Sequence, residues 1–180
     1  MTELAVWEAL ATAREAGREV AIAVVVGSRG SSPGHAGALM AVGSDGLLAG
    51  TVGGGIAEAR VLARLTEGLR RGDLAPGEVQ LTHRPGVETA SGLICGGEQW
   101  VAWAALEPVR LEEVRAVLAA VAEGQRIGWT IGPAGWTLGE PEGEGAAASS
   151  HAMVSGPSRE VWVIGGGHVG LALSRVLATL

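Results

Sequence analysis

The stretch Leu47-Leu48-Ala49-Gly50-Thr51-Val52-Gly53-Gly54-Gly55-Ile56-Ala57-Glu58 changes its period halfway through. Leu47–Thr51 has the composition of a short strand. From Gly53 onward the apolar positions recur at helical spacing, with Leu62, Leu65 and Leu69 on one face and Arg60, Arg64, Glu67 and Arg71 on the other. A strand that feeds a helix through three glycines predicts an α/β fold. It also predicts a helix N-terminus whose backbone N–H groups either hold an anion or simply begin the helix. Glu58 falls in the first turn, where a carboxylate complements the helix dipole. The charged outer face reads as a solvated one.

Upstream, Ser44-Asp45-Gly46 between Ala38–Val42 and Leu47–Thr51 is a hairpin signal. Val20–Val26 is apolar at every position and predicts a strand buried on both faces. Residues 3–16 read as a helix with Val6, Trp7, Leu10 and Ala13 inward, stopped by Gly17. Downstream, Glu78–Thr82 is a short strand and Gln99–Leu106 a central, two-sided one. Pro108–Glu123 reads as a helix. Gly132-Pro133-Ala134-Gly135 turns a second hairpin between Arg126–Ile131 and Trp136–Leu138. Residues 139–159 are rich in Gly, Ala, Ser, Pro and Glu and read as a linker, with His151–Val154 as a candidate edge strand. Glu160–Ile164 and His168–Leu180 complete a strand and a helix. The expected organisation is a mixed-sheet domain over 1–108, a helix, hairpin and linker over 109–158, and an incomplete Rossmann-like βα segment over 159–180.

At 180 residues, with 47% apolar residues and a net charge of −6, the chain is a folded protein without the basic footprint of nucleic-acid binding. No run is long enough to span a membrane, and the N-terminus lacks a secretory pattern. One cysteine excludes an intrachain disulfide and fits a cytoplasmic location. Lys, Phe, Tyr and Asn are absent, as GC-rich codon usage would produce, so the core aromatics are the six Trp residues.

Four glycine-rich turns follow or end apolar runs: Gly30–Gly34, Thr51–Gly55, Cys95–Gly97 and Gly165–Gly170. Gly165-x-Gly167-x-x-Gly170 has the strand-to-helix context of a dinucleotide fingerprint. The second strand and ribose-binding acid it requires do not follow, so NAD is not expected to bind. Cys95 is either a thiolate stabilised by neighbouring N–H groups or a small buried residue. His35 and His83 read as surface residues. No spacing makes a zinc site, so no metal ligand set is expected. Ser31 and Ser32 lack a base, which disfavours a hydrolase triad.

Together, Gly30-Ser31-Ser32-Pro33 with Gly37-Ala38-x-Met40, then Gly50–Gly55 with Glu58-Ala59, then Ser91–Gly97, and finally Val161–Leu173 resemble the xanthine dehydrogenase accessory protein family of XdhC/CoxI type. The resemblance implies an accessory chaperone that binds molybdenum cofactor and assists its sulfuration or insertion into a molybdenum hydroxylase client. It implies Cys95 as the reactive group. The cofactor-binding candidates are then Ser31, Ser32, Gly53, Gly54, Gly55, Glu58, Gly96, Gly97, Gly165, Gly167 and Gly170. Two positions depart from the family pattern: Gly34 and Leu39 stand where basic residues are usual, and Arg29, His35 and Arg84 are the candidates to substitute. An NAD(P)-binding oxidoreductase and a non-catalytic scaffold paralogue are the alternative readings. A homodimer is expected, because Val161, Val163, Leu171, Leu173, Val176 and Leu177 would otherwise be left exposed.

Overall fold

A computed structural model describes residues 2–82, 96–139, 150–157 and 163–177. Helix α1 (Glu3–Glu15) opens at Thr2, whose hydroxyl accepts from the Ala5 N–H, and sends Val6, Trp7, Leu10 and Ala13 into the core. Strand β1 (Val20–Arg29) follows and is the longest among the described residues. Strands β2 (Leu39–Gly43) and β3 (Gly46–Gly50) form the hairpin expected around Ser44-Asp45. Helix α2 (Gly55–Arg71) then leads to β4 (Gly77–Thr82) and β5 (Glu98–Ala105).

These strands form one sheet in the order β3-β2-β1-β5-β4. Where a mixed sheet was expected, every pairing in it is antiparallel. A helix between two strands suggests a parallel crossover. β3 and β4 do run in the same direction, but α2 carries the chain from one edge of the sheet to the other, so the two never pair.

The two apolar sets along β1 and β5 explain the layering. Ala21, Ala23 and Val25, with Val101 and Trp103, face α2. Val20, Ile22 and Val24, with Ala102 and Ala104, face α1 and a second helical layer. That layer includes α3 (Leu111–Ala122), which begins after a 3-10 turn at Pro108–Arg110 rather than at Pro108 itself. Proline lacks the N–H that an α-helical interior uses and suits a first turn. Arg115 joins α3 to α1 through Glu15 (2.8 Å), and its bonds to Glu15 and Glu112 hold the guanidinium above its ordinary pKa.

The same side of the large sheet carries a second sheet in the order β7-β6-β8, made from β6 (Ile127–Gly132), β7 (Gly135–Leu138) and β8 (His151–Ser155). β8 bears out the edge strand expected at His151–Val154 and extends it by one residue, to Ser155. Ser155 is completely buried, and its hydroxyl accepts from the indole N–H groups of Trp7 (3.2 Å) and Trp129 (2.8 Å). With Trp136, these indoles form a cluster with ring centroids 5.7 to 6.4 Å apart, a spacing at which aromatic rings attract one another.

Helix α4 (His168–Leu177) has no buried residue. Of the strand expected over Glu160–Ile164, residues 160–162 lie outside the described residues, and Val163 and Ile164 are not in a strand.

Candidate functional site

Antiparallel alternation decides where the glycine loops fall. β1, β3 and β4 all end, and β2 and β5 all begin, at the same end of the large sheet. The turns after β1, after β3 and before β5 therefore meet there, although they are far apart in sequence.

The group that joins them is Gln99, at the second position of β5 and only 1% exposed. Its Oε1 accepts from the Ser32 hydroxyl (2.8 Å) and from the Gly34 N–H (3.2 Å), both on the first loop. Its Nε2 donates to the Val52 carbonyl (2.9 Å) on the second. One amide thus satisfies polar groups of both loops from the strand that carries the third. Sequence reading missed it, since a glutamine opening an apolar strand has no local signature. A buried polar residue would have been the signal, but burial is not visible in a single sequence.

The loops also touch through backbone. A methyl group on Gly53, whose φ is +124°, would stand 2.8 Å from the Gly34 nitrogen. One on Gly97 would stand 2.8 Å from the Arg29 carbonyl and closer still to that of Ser31. Gly34 is itself buried against the Val52 carbonyl and Gln99, with no room for a side chain. Leu39, the second position that departs from the family pattern, lies in the core on the α1 side. Neither position can present a basic group here. Arg29, Ser31 and His35 are exposed around this end of the sheet.

In the second loop the N–H groups of Val52, Gly53 and Gly54 are taken up within the chain, while Gly55 is exposed. Glu58 Oε2 accepts from the Thr51 hydroxyl, from the Val52 N–H (2.9 Å) and from the Gly54 N–H (3.0 Å), while the Gly53 N–H donates to Thr51 Oγ1 (3.1 Å). The anion at the α2 N-terminus is the chain's own carboxylate. Gly53, Gly54 and Glu58 therefore form an internally satisfied turn that leads into α2 at Gly55. Beside the first two loops, a cleft of about 340 Å³ is lined by His35, Gly37, Thr51, Glu3 and Val154, among others.

Gly96 is exposed and Gly97 buried at the start of the third strand-end turn. Cys95, His83 and Arg84 lie outside the described residues. Gly165 and Gly167 precede α4, and Gly170 within it packs on the Gly165 carbonyl. They form the turn of that helix rather than part of the three-loop cluster. Among the described residues no three His, Cys, Asp or Glu side chains gather as metal ligands, and no helix is long and apolar enough to cross a membrane.

Residues 13–75 match the model of the XdhC and CoxI family. The first two motifs fall inside that match; those at 91–97 and 161–173 lie beyond it. The fold is similar to a crystal structure from Bacillus halodurans described as a xanthine dehydrogenase. The two are 17% identical with a TM-score of 0.64, over 87% of this chain and 53% of the other. At that identity the likeness is one of fold, and this chain spans about half the length of that neighbour. A comparison with curated proteins found no match.

Proposed function

We propose that this protein is an accessory factor for a xanthine dehydrogenase-like molybdenum hydroxylase, and that it holds molybdenum cofactor at the three-loop end of its large sheet. The convergence of the Ser31–Gly34, Val52–Gly54 and Gly96–Gly97 backbones on Gln99 carries this reading. The family match over residues 13–75 supports it.

The residues fit the cofactor in part. A pterin phosphate needs cationic and hydroxyl donors, and Arg29, Ser31 and His35 are exposed around these loops. The N–H groups of Val52 and Gly54 already serve Glu58, so the second loop shapes the site while the first and third face the ligand. Ser32 is held by Gln99 and positions the first loop. Cys95, next to Gly96, is the group we assign to ligating molybdenum or relaying sulfur to it, since a thiolate is a soft metal ligand.

The test is reconstitution of a client. A molybdenum hydroxylase produced without its accessory factor should gain activity when this protein, loaded with cofactor, is added. Cys95→Ala should fail to restore that activity while melting at nearly the wild-type temperature. Equal activation by free cofactor alone would remove the accessory role.

A further inference from the structure

The cleft beside the first two loops lies on the α1 side of the large sheet, and its volume of about 340 Å³ suits a small molecule. Val6 of α1, Leu39 of β2 and Val154 of β8 give it apolar walls. It borders the loops at His35 and Thr51, which adjoin Gly34 and Val52 in the chain. Among the residues that line it, the half-buried Glu3 carries the one carboxylate. The chain holds that group in place with two neutral donors. Oε1 accepts from the Trp7 indole N–H (3.4 Å) and Oε2 from the Gly156 N–H (3.2 Å). An ionised carboxylate offers about four acceptor positions, so both oxygens keep capacity for a ligand. Position and charge together define a slot for a largely apolar body that carries N–H donors on one edge.

We propose that this cleft takes the pterin ring of the cofactor and that Glu3 recognises it, an inference that rests on the function proposed above. The 2-amino group and the adjacent ring N–H of a pterin form a fork of two donors. A carboxylate accepts such a fork through both oxygens, as it does a guanidinium. The same negative charge repels the phosphate at the far end of the cofactor. That end is left to Arg29, Ser31 and His35, so Glu3 sets which way round the cofactor enters. The Gly156 bond fixes the carboxylate from the residue that follows β8, far in sequence from the three loops.

Free pterin and lumazine, both fluorescent, test it by titration on the full chain. Lumazine carries an oxygen where pterin carries the 2-amino group, and so turns an acceptor toward Glu3. Wild type should bind pterin at least tenfold more tightly than lumazine, a comparison that depends on no variant folding. Glu3→Gln should lose at least tenfold in pterin affinity, and Val154→Trp, which fills the cleft from an exposed position, should lose as much. Equal affinity for the two rings, unchanged affinity in either variant, or no binding of pterin would overturn the proposal. Guanosine monophosphate presents the same two donors on a purine, and tighter binding of it than of pterin would overturn the assignment to pterin. The accessory reading fails separately: it falls if wild type from cells that make the cofactor carries no molybdenum, whether or not free pterin binds.

Discussion

Replacing Gln99 by leucine keeps the bulk of the side chain and removes every hydrogen bond that ties the first two loops to β5. The buried Gly34 N–H and the Val52 carbonyl then lose their partner, as does the Ser32 bond to the amide. Unpaired buried groups cost roughly 1–3 kcal/mol each, so a loss of about 3 kcal/mol is expected. For a chain of this size, that lowers Tm by about 10 °C in a thermal denaturation. Ser155→Ala should cost about 2 kcal/mol for the same reason, because the Trp129 indole N–H loses its partner and that of Trp7 keeps only the longer contact to Glu3. A Tm within a degree of wild type would show that water satisfies the indoles instead. Both residues escaped the sequence reading for one physical reason. A hydrogen bond across 26 to 148 positions leaves no mark on local periodicity. By contrast, the burial of Val20–Val25 on both faces was legible because it depends on composition alone. Gly53 lies between these cases. Its place at a tight turn was legible, but its contact with Gly34 was not.

Among elements, α2 and its leading turn show how a familiar pattern can be satisfied from within. Three glycines before a helix suggested a cradle for an external anion, yet Glu58 supplies the carboxylate. Glu58→Ala should free the Val52 and Gly54 N–H groups and open an anion site at the helix N-terminus. Inorganic phosphate should then raise the Tm of the variant by several degrees while leaving wild type nearly unchanged. An equal response in both would mean that Glu58 does not govern access to these donors. The hairpins were legible because Ser44-Asp45-Gly46 and Gly132–Gly135 are local turn chemistry. The purely antiparallel sheet was not, because the choice of edge on which β4 lands depends on how α2 crosses the whole sheet.

At the scale of the molecule, two features bear on what the chain associates with. Ile164, Val169, Leu171, Leu173 and Val176 are all exposed on or beside α4. An apolar patch of this kind is rarely left open in a monomer. A second copy of the chain is the expected cover. Multi-angle light scattering should give a dimer mass at micromolar concentration, and Val169→Glu with Leu173→Glu should return it to a monomer; a wild-type monomer would contradict this expectation. The other feature is the three-loop end of the sheet, on which the account of function rests. The most direct measurement is the molybdenum and pterin content of the protein, purified from cells that make the cofactor. The account predicts close to one cofactor per chain in wild type. It predicts at least a tenfold loss in Arg29→Ala with Ser31→Ala, two exposed positions whose replacement should leave Tm nearly unchanged. Full cofactor content in that variant, or none in wild type, would contradict it.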